Sequence, residues 1–383
     1  MATKRRKKRR MKKRKKILLF VLEILILAVL LVVLYFTNIL NKIDFQNMTD
    51  TEAGINDDMS SETAFAMEGY TNIALFGLDN RGSGDYDTGN SDAILIASIN
   101  NETKEIRLAS VYRDTYLSIG DGKFYKCNSA YEKGGATQAV QMLNSNLDLD
   151  IKDYVSVDWG ALVEVIDDLG GIDIEVTDAE VDKINEYTVE IVMMTGKETT
   201  ELKESGLVHL DGTQATSYAR IRKLAGDDYM RTARQRIVLQ AMMEKAQKAD
   251  LGTLTKICND VVDDISTTLT LKQMLLLAKD VTSYKLVETT GFPFELTTAN
   301  LESGDTVVPV ELDNNVKELH QWLFNDENYV TSQTVQNISN TIVKKTGVTE
   351  ENARVVNTSN YNNTVDRNGT EIKKTEDSEE GGQ

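Results

Sequence analysis

Apolar positions are spread unevenly along the chain. Residues 17–36, ILLFVLEILILAVLLVVLYF, are apolar apart from Glu23, and at 1.5 Å per residue such a helix spans a hydrocarbon core of about 30 Å. Residues 37–69 are polar and weakly patterned, which suits a stalk. From Thr71 the pattern sharpens. NIALFGLD, DAILIASI and EIRLASVY are β-rich apolar runs, and NNETK joins the last two at hairpin length. GATQAVQMLNSNL then predicts a helix, DYVSVDW a strand, ALVEVIDDLG a helix ending at Gly170, and GIDIEV a strand. DGTQATSYAR predicts a short helix capped by Asp211, and DDYMRTARQRIVLQAMMEKAQKA a long one from near Asp227. LTLKQMLLLAKDV and NNVKELHQWLF add helices up to residue 324.

That order is mixed α/β (α+β), and it divides the chain into five parts. Residues 1–16 form a basic segment, 17–39 a transmembrane helix, 40–69 a stalk, 70–328 one domain large enough for a sizeable core, and 329–383 a tail. The tail is rich in Ser, Thr, Asn, Lys and Glu with few large apolar groups, so disorder is expected there. No internal repeat of roughly 20 to 50 residues is visible.

Charge sharpens the membrane reading. The formal net charge is −17, yet the first 16 residues hold 12 of the 43 Lys and Arg and no acid. A cleavable signal peptide is the rival, but the apolar run exceeds the usual length of about 7 to 15 residues and no small-x-small site follows it. Twelve cations before the span and almost none just after it place the amino terminus in the cytoplasm and the rest of the chain outside. Nucleic acid is not needed to explain the basic run, because the anchor sets it beside anionic lipid headgroups. Two cysteines, Cys127 and Cys258, are too few for a disulfide framework and carry no functional weight.

Candidate chemistry lies in residues 218–236, YARIRKLAGDDYMRTARQR, which concentrate five arginines in an acidic protein. Helical spacing puts Arg231, Arg234 and Gln235 on one face, with Arg220 and Arg222 at the end of the preceding helix. Two guanidinium pairs can then converge on an anion. A surface charge run interleaved with Asp227 and Asp228 is the plainer alternative, and Tyr218, Ile221, Leu224, Tyr229 and Met230 argue for partly buried stems. Arg113 and Asp114 end an apolar strand in VYRDT, Asp79 follows IALFGL, and Asp92 opens AILIAS. Acids at strand ends are either turn residues or ligands for Mg2+, and Asp, Mg2+ and Arg together are the recurring parts of phosphoryl transfer. His209 and His320 lie in no metal-ligand spacing, and no nucleophile triad is evident.

NIALFGLDNR, NSDAILIASIN, VYRDTYL, KCNSAYEKGG, LGGIDIEV and LKESGLVHLDGTQATSYARIRKLAGDDYMRTARQR resemble, in order, the blocks of the LytR-CpsA-Psr family of bacterial cell-envelope proteins, over about residues 70–285. The resemblance implies a central, mostly antiparallel or mixed β-sheet flanked by helices, with an apolar pocket for a polyprenyl chain and arginines at its mouth. It implies a transferase that moves an anionic or secondary glycopolymer, such as teichoic acid or capsule, from an undecaprenyl pyrophosphate carrier to a peptidoglycan hydroxyl, forming a phosphodiester with Mg2+ as cofactor. Carried onto this chain, Asp79 and Asp92 become the metal ligands, Arg113, Arg220, Arg222, Arg231 and Gln235 the pyrophosphate clamp, and Arg234 either joins that clamp or faces the protein instead. Arg113, Asp114 and Asp92 become the catalytic group, with Asp114 either taking a proton or orienting Arg113. Two positions depart from the family pattern. Asn90 stands where an arginine is common, so one phosphate contact is either missing or supplied by Arg81, and Tyr112 stands where proline is common. A prenyl-phosphate-binding regulator without turnover and a lipid pyrophosphatase remain as other readings.

Overall fold

The computed structural model of the chain describes residues 44–45, 48–49, 51–79, 89–222, 224, 227–260, 265–270, 273, 277, 280–356 and 358. The expected basic segment and membrane span lie outside the described residues, as does Arg81; the helix expected over 269–281 lies largely outside them. Among the described residues no helix is long and apolar enough to cross a membrane.

In chain order the strands are β1 (Asp44–Phe45), β2 (Tyr70–Leu78), β3 (Ser91–Asn100), β4 (Glu105–Val111), β5 (Tyr116–Ser118), β6 (Phe124–Lys126), β7 (Asp153–Asp158), β8 (Ile172–Val176), β9 (Gly206–Leu210), β10 (Ile265–Thr267), β11 (Lys285–Phe292), β12 (Leu296–Leu301) and β13 (Gly304–Pro309). The helices are α1 (Ser61–Glu68), α2 (Ser129–Leu147), α3 (Trp159–Asp168), α4 (Asp178–Thr195), α5 (Gly212–Arg220), α6 (Asp227–Ala246), α7 (Leu251–Asp260), α8 (Leu312–Phe324) and α9 (Gln333–Thr346). Seven strands form one sheet in the order β1-β10-β7-β2-β3-β4-β11. It is mixed: β2–β3, β3–β4 and β7–β10 run antiparallel, while β2–β7, β4–β11 and β1–β10 run parallel.

Both faces of this sheet are covered, which is why Ala93 to Ile99 of β3 are all buried rather than alternating with exposed positions. Period-2 alternation instead divides the side chains between two cores. Phe76, Leu78, Ile94, Ile96, Ala109 and Val111 pack with α2, α8 and α9. Ala93, Leu95, Ala97 and Leu108, joined by Leu75, turn to the other face, where Leu239 of α6 meets them. A separate core gathers α3, α4, α5 and α6 around β8. Within α2, Gly134 and Gly135 break the helix; Gly135 sits at φ +64°, which glycine adopts without steric cost.

Two expectations are corrected. The tail is not disordered from residue 329: Gln333–Thr346 is a helix, capped by Ser332, whose Oγ accepts from Val335 N at 3.1 Å, and ended by Gly347 at φ +71°. Its apolar side chains are few, but Val335, Ile338 and Ile342 recur on one face and join the main core. The buried Asp148 carboxylate holds the approach to this helix by accepting from Tyr329 Oη (2.6 Å), Ser332 N (2.8 Å) and Ser332 Oγ (2.7 Å). The stalk also ends early. Met67 of α1 is in the main core, and Ala53 is buried with its carbonyl accepting from Asn144 Nδ2 at 2.7 Å.

Candidate active site

Arg113 leaves the end of β4 on a firmly held backbone. Tyr112 N donates to Phe292 O at 3.0 Å, Asn128 N donates to Arg113 O at 3.1 Å, and Val307 N donates to Asp114 O at 3.0 Å. Asp92 is brought to it by a register shift. Gly77 pairs with Ala93 and Leu78 with Ser91, so Asp92 is the extra residue of a bulge, and bulges re-aim side chains. Its Oδ1 lies 2.6 Å from Arg113 Nη1. Arg113 Nε faces Asp114 Oδ2 at 3.5 Å and Asp228 Oδ2 at 3.9 Å, while Lys126 Nζ reaches Asp114 Oδ1 at 3.0 Å. Burial pulls the Arg113 pKa down, but the three carboxylates outweigh it and leave it above the ordinary value.

Asp228, in the first turn of α6, is the hub on which the arginines meet. Its Oδ1 accepts from Arg222 Nε at 3.0 Å and lies 3.3 Å from Arg231 Nη1. Burial raises its pKa, but Arg231, the hydrogen bond with Asp114, Arg222 and Arg113 together pull it below the usual carboxylate range. Arg222 is 45% exposed, whereas Arg231 is only 4% exposed, and burial pulls the Arg231 pKa down to about 10.

Several groups around this hub are buried without a hydrogen-bond partner. They are Asp79 Oδ1, Arg220 Nη1, Arg231 Nε and Nη2, and both amide atoms of Gln235. A buried polar group left unpaired costs about 1–3 kcal/mol, so a cluster of them marks a place where a ligand completes the bonding. Arg220 also lies over the Trp159 ring at 5.4 Å and meets Glu190 at 3.3 Å.

Gln235 opens onto an apolar cavity of about 200 Å3 between the sheet and helices α3, α5 and α6, lined by Leu75, Leu95, Val157, Trp159 and Val238 among others. Gly77 and Ala93 are its small residues on the sheet; a Cβ at Gly77 would stand 3.0 Å from that of Ala93. A second cleft, of about 620 Å3, is polar and lined by Arg113, Asp114, Lys126, Arg222 and Asp228 with residues of α4 and the β12–β13 hairpin. An apolar cavity leading to buried guanidinium groups is a receptacle for an amphiphile with an anionic head.

A model of the LytR_cpsA_psr family matches residues 34–321. The chain belongs to the LytR-CpsA-Psr family. Among its relatives is the polyisoprenyl-teichoic acid–peptidoglycan teichoic acid transferase TagU of Enterococcus faecalis, 32% identical over 214 residues, or 55% of this chain and 65% of TagU. The match thus spans less than two thirds of that relative's length. The fold is that of solved LytR-CpsA-Psr proteins. TagT bound to LIIa-WTA superposes with a TM-score of 0.56 at 22% identity, covering 68% of this chain and 92% of TagT. Bacillus subtilis TagV superposes with a TM-score of 0.54 at 24% identity, covering 68% and 98%.

Within this family fold, Arg113, Asp114, Asp92, Arg222 and Arg231 come together around Asp228, and Arg220 and Gln235 stand with unpartnered buried atoms. Arg234 is a correction. Its Nε donates to Glu180 Oε1 at 2.9 Å and its Nη1 to Ile221 O at 3.2 Å, and both ion-pair side chains are 3% exposed. It ties α6 to α4, and what separates it from Arg231 on the same helix is this partner. Tyr131 is likewise structural, buried and donating to Ser156 Oγ at 2.9 Å. Sequence reasoning missed Asp228 as the hub. The signal was its i, i+3 spacing to Arg231 inside the arginine-rich run.

Proposed function

We propose that the protein is a membrane-anchored phosphotransferase, held by residues 17–39 with its amino terminus in the cytoplasm and the folded domain outside the cell. In this reading it moves a polyprenyl-pyrophosphate-linked glycopolymer, teichoic acid or a similar anionic polymer, onto peptidoglycan. The observation that carries it is the set of buried, unpartnered Arg220, Arg231 and Gln235 atoms beside an apolar cavity. Family membership and the transferase activity named for TagU support the same reading.

Arg113, Arg220, Arg222, Arg231 and Gln235 would grip the pyrophosphate, with the prenyl chain in the cavity. A peptidoglycan hydroxyl oxygen then bonds to the phosphorus carrying the glycan. The bond from that phosphorus to the bridging oxygen breaks, and prenyl phosphate leaves with the electron pair. The hydroxyl proton passes to the Asp114 carboxylate, which Arg113 and Lys126 hold in the cleft wall. Fixed guanidinium groups stabilise the charge that builds on the phosphoryl oxygens.

Mg2+ fits the two acids proposed as its ligands. Asp79 Oδ1 is buried and unpartnered, and Asp92 uses only Oδ1 on Arg113; a hard cation takes one or two such carboxylates. Bound there, the ion would neutralise charge on the pyrophosphate oxygens. The test is mass spectrometry of the acceptor after incubating the full-length protein in detergent with Mg2+, a prenyl-pyrophosphate-linked disaccharide and an uncrosslinked peptidoglycan oligomer. A phosphoglycan adduct that disappears in Arg113→Ala is the expected result. Released sugar phosphate without adduct would replace transfer by hydrolysis, and intact bound lipid would replace it by a regulator that does not turn over.

A further inference from the structure

The apolar cavity and the polar cleft share no lining residue, yet both reach the arginine hub: Gln235 borders the first, and Arg113 and Asp228 border the second. Arg231 lies one helical turn before Gln235 and touches Asp228, so an anionic head held at Arg231 has the cavity on one side and the cleft on the other. In-line displacement at phosphorus requires the attacking oxygen to enter opposite the leaving group. With the prenyl phosphate leaving toward the cavity, the attacking hydroxyl enters through the cleft.

The outer wall of that cleft is the β12–β13 hairpin. It is fixed to the Arg113 loop by the bond from Val307 N to Asp114 O and by a parallel bridge between Thr115 and Val307. Leu296 and Val307 bury against Tyr112, with Tyr229 packed beside them. Pairing of Thr298 with Val307 and of Asn300 with Asp305 puts these four side chains on the same face as Leu296. Thr298 and Asp305 are exposed and line the cleft together with Tyr187 of α4 and Tyr229 of α6. Tyrosine rings stack on the C–H faces of sugars, and a carboxylate and a hydroxyl accept from sugar hydroxyl and amide groups. The added carboxylate on this wall disfavours a polyanionic chain, since like charges repel.

Resting on the transferase reading, we propose that this cleft is the acceptor subsite, that it takes a run of neutral N-acetylated sugars, and that Asp305 and Thr298 select that acceptor. Both residues stand outside the arginine-rich run and the strand-end acids, and both are exposed, so their replacement leaves the core untouched.

The experiment measures binding of N-acetylglucosamine tetrasaccharide to the full-length protein in detergent by saturation-transfer NMR, alongside transfer kinetics with an uncrosslinked peptidoglycan oligomer. Wild type, Asp305→Asn, Thr298→Val and the double variant are compared. The expected result is a roughly tenfold weaker tetrasaccharide affinity and an equal rise in acceptor KM for the double variant, the effect of losing hydrogen bonds worth about 1.4 kcal/mol. Its kcat and its affinity for prenyl pyrophosphate stay unchanged. Donor affinity that falls while acceptor affinity holds would overturn the proposal and assign the cleft to the donor glycan. Unchanged binding of both would also overturn it. Tetrasaccharide binding that weakens in the variants, with no transfer by wild type, would leave the subsite standing while the transferase reading falls.

Discussion

Arg231 and Arg234 lie three residues apart on one helix, are equally buried, and have opposite roles because of what faces them. Arg231 meets the shared Asp228 and keeps donors without partners, whereas Arg234 is held by the Glu180 carboxylate and the Ile221 carbonyl. Arg231→Ala should therefore abolish prenyl pyrophosphate binding with little change in Tm. Arg234→Ala leaves Glu180 charged and buried, and breaking such a pair costs about 3–5 kcal/mol, so its Tm should drop by several degrees or more; differential scanning calorimetry separates the two. A second residue sets a pH limit. His320 is buried, stacked on Tyr329 at 3.8 Å, with Nε2 2.8 Å from Leu147 O, and burial pushes its pKa down to about 4. The unfolded chain, near 6.5, binds the proton first, so stability is lost as pH falls from about 6.5 to about 4. A shift of that size corresponds to about 3 kcal/mol. Urea midpoints should fall over this window in wild type and fall less in His320→Asn.

At the level of elements, the site depends on segments that carry none of its arginines. The β12–β13 hairpin walls the cleft, and α9 closes the main core below the sheet. The junction of α9 with the domain is the Asp148 cluster, so Tyr329→Phe should cost about 1.5–3 kcal/mol in urea unfolding by removing a hydrogen bond to a charged group. Tyr112 replaces a residue the family pattern gives as proline, and its ring finds room because β11 has a glycine beside it. A Cβ at position 291 would stand 2.0 Å from Tyr112 Oη. The ring also meets Tyr229 edge-on at 4.8 Å, inside a packed cluster with Leu296 and Val307. Gly291→Ala should destabilise the protein by displacing that ring, an overpacking effect of about 1–3 kcal/mol, and should weaken activity by moving Arg113, which directly follows Tyr112.

At the level of the whole molecule, the sheet end joins an apolar cavity to a charged cleft, and the protein's chemistry is assigned to that junction. Ala93 lines the cavity from β3. Ala93→Leu should take up cavity space while leaving the arginines in place. Thermal-shift titration should then show affinity for a long-chain prenyl pyrophosphate reduced at least tenfold, with stabilisation by inorganic pyrophosphate retained.

What the sequence determined by itself is whatever repeats at short range. β-Rich apolar runs in 71–112 marked three sheet strands, capping marked α5 at Asp211, and helical spacing put Arg231, Arg234 and Gln235 on one face. Its ordered motifs were enough to indicate the family. Composition misjudged the segment from Tyr329 to Thr346, because three apolar positions in a polar helix suffice when a core waits for them, and that core is assembled from the neighbouring α8 and from α2, far away in the chain. Only the tertiary structure decided that Arg234 belongs to Glu180, that Asp228 gathers the arginines, and that a bulge at Asp92 turns its carboxylate to Arg113. The Arg234–Glu180 pair, the approach of Arg113 to Asp228 and the turn of Asp92 depend on groups tens of residues apart or on a one-residue change of strand register. Local periodicity contains no such information, because partner choice is settled by which surfaces meet when the chain packs.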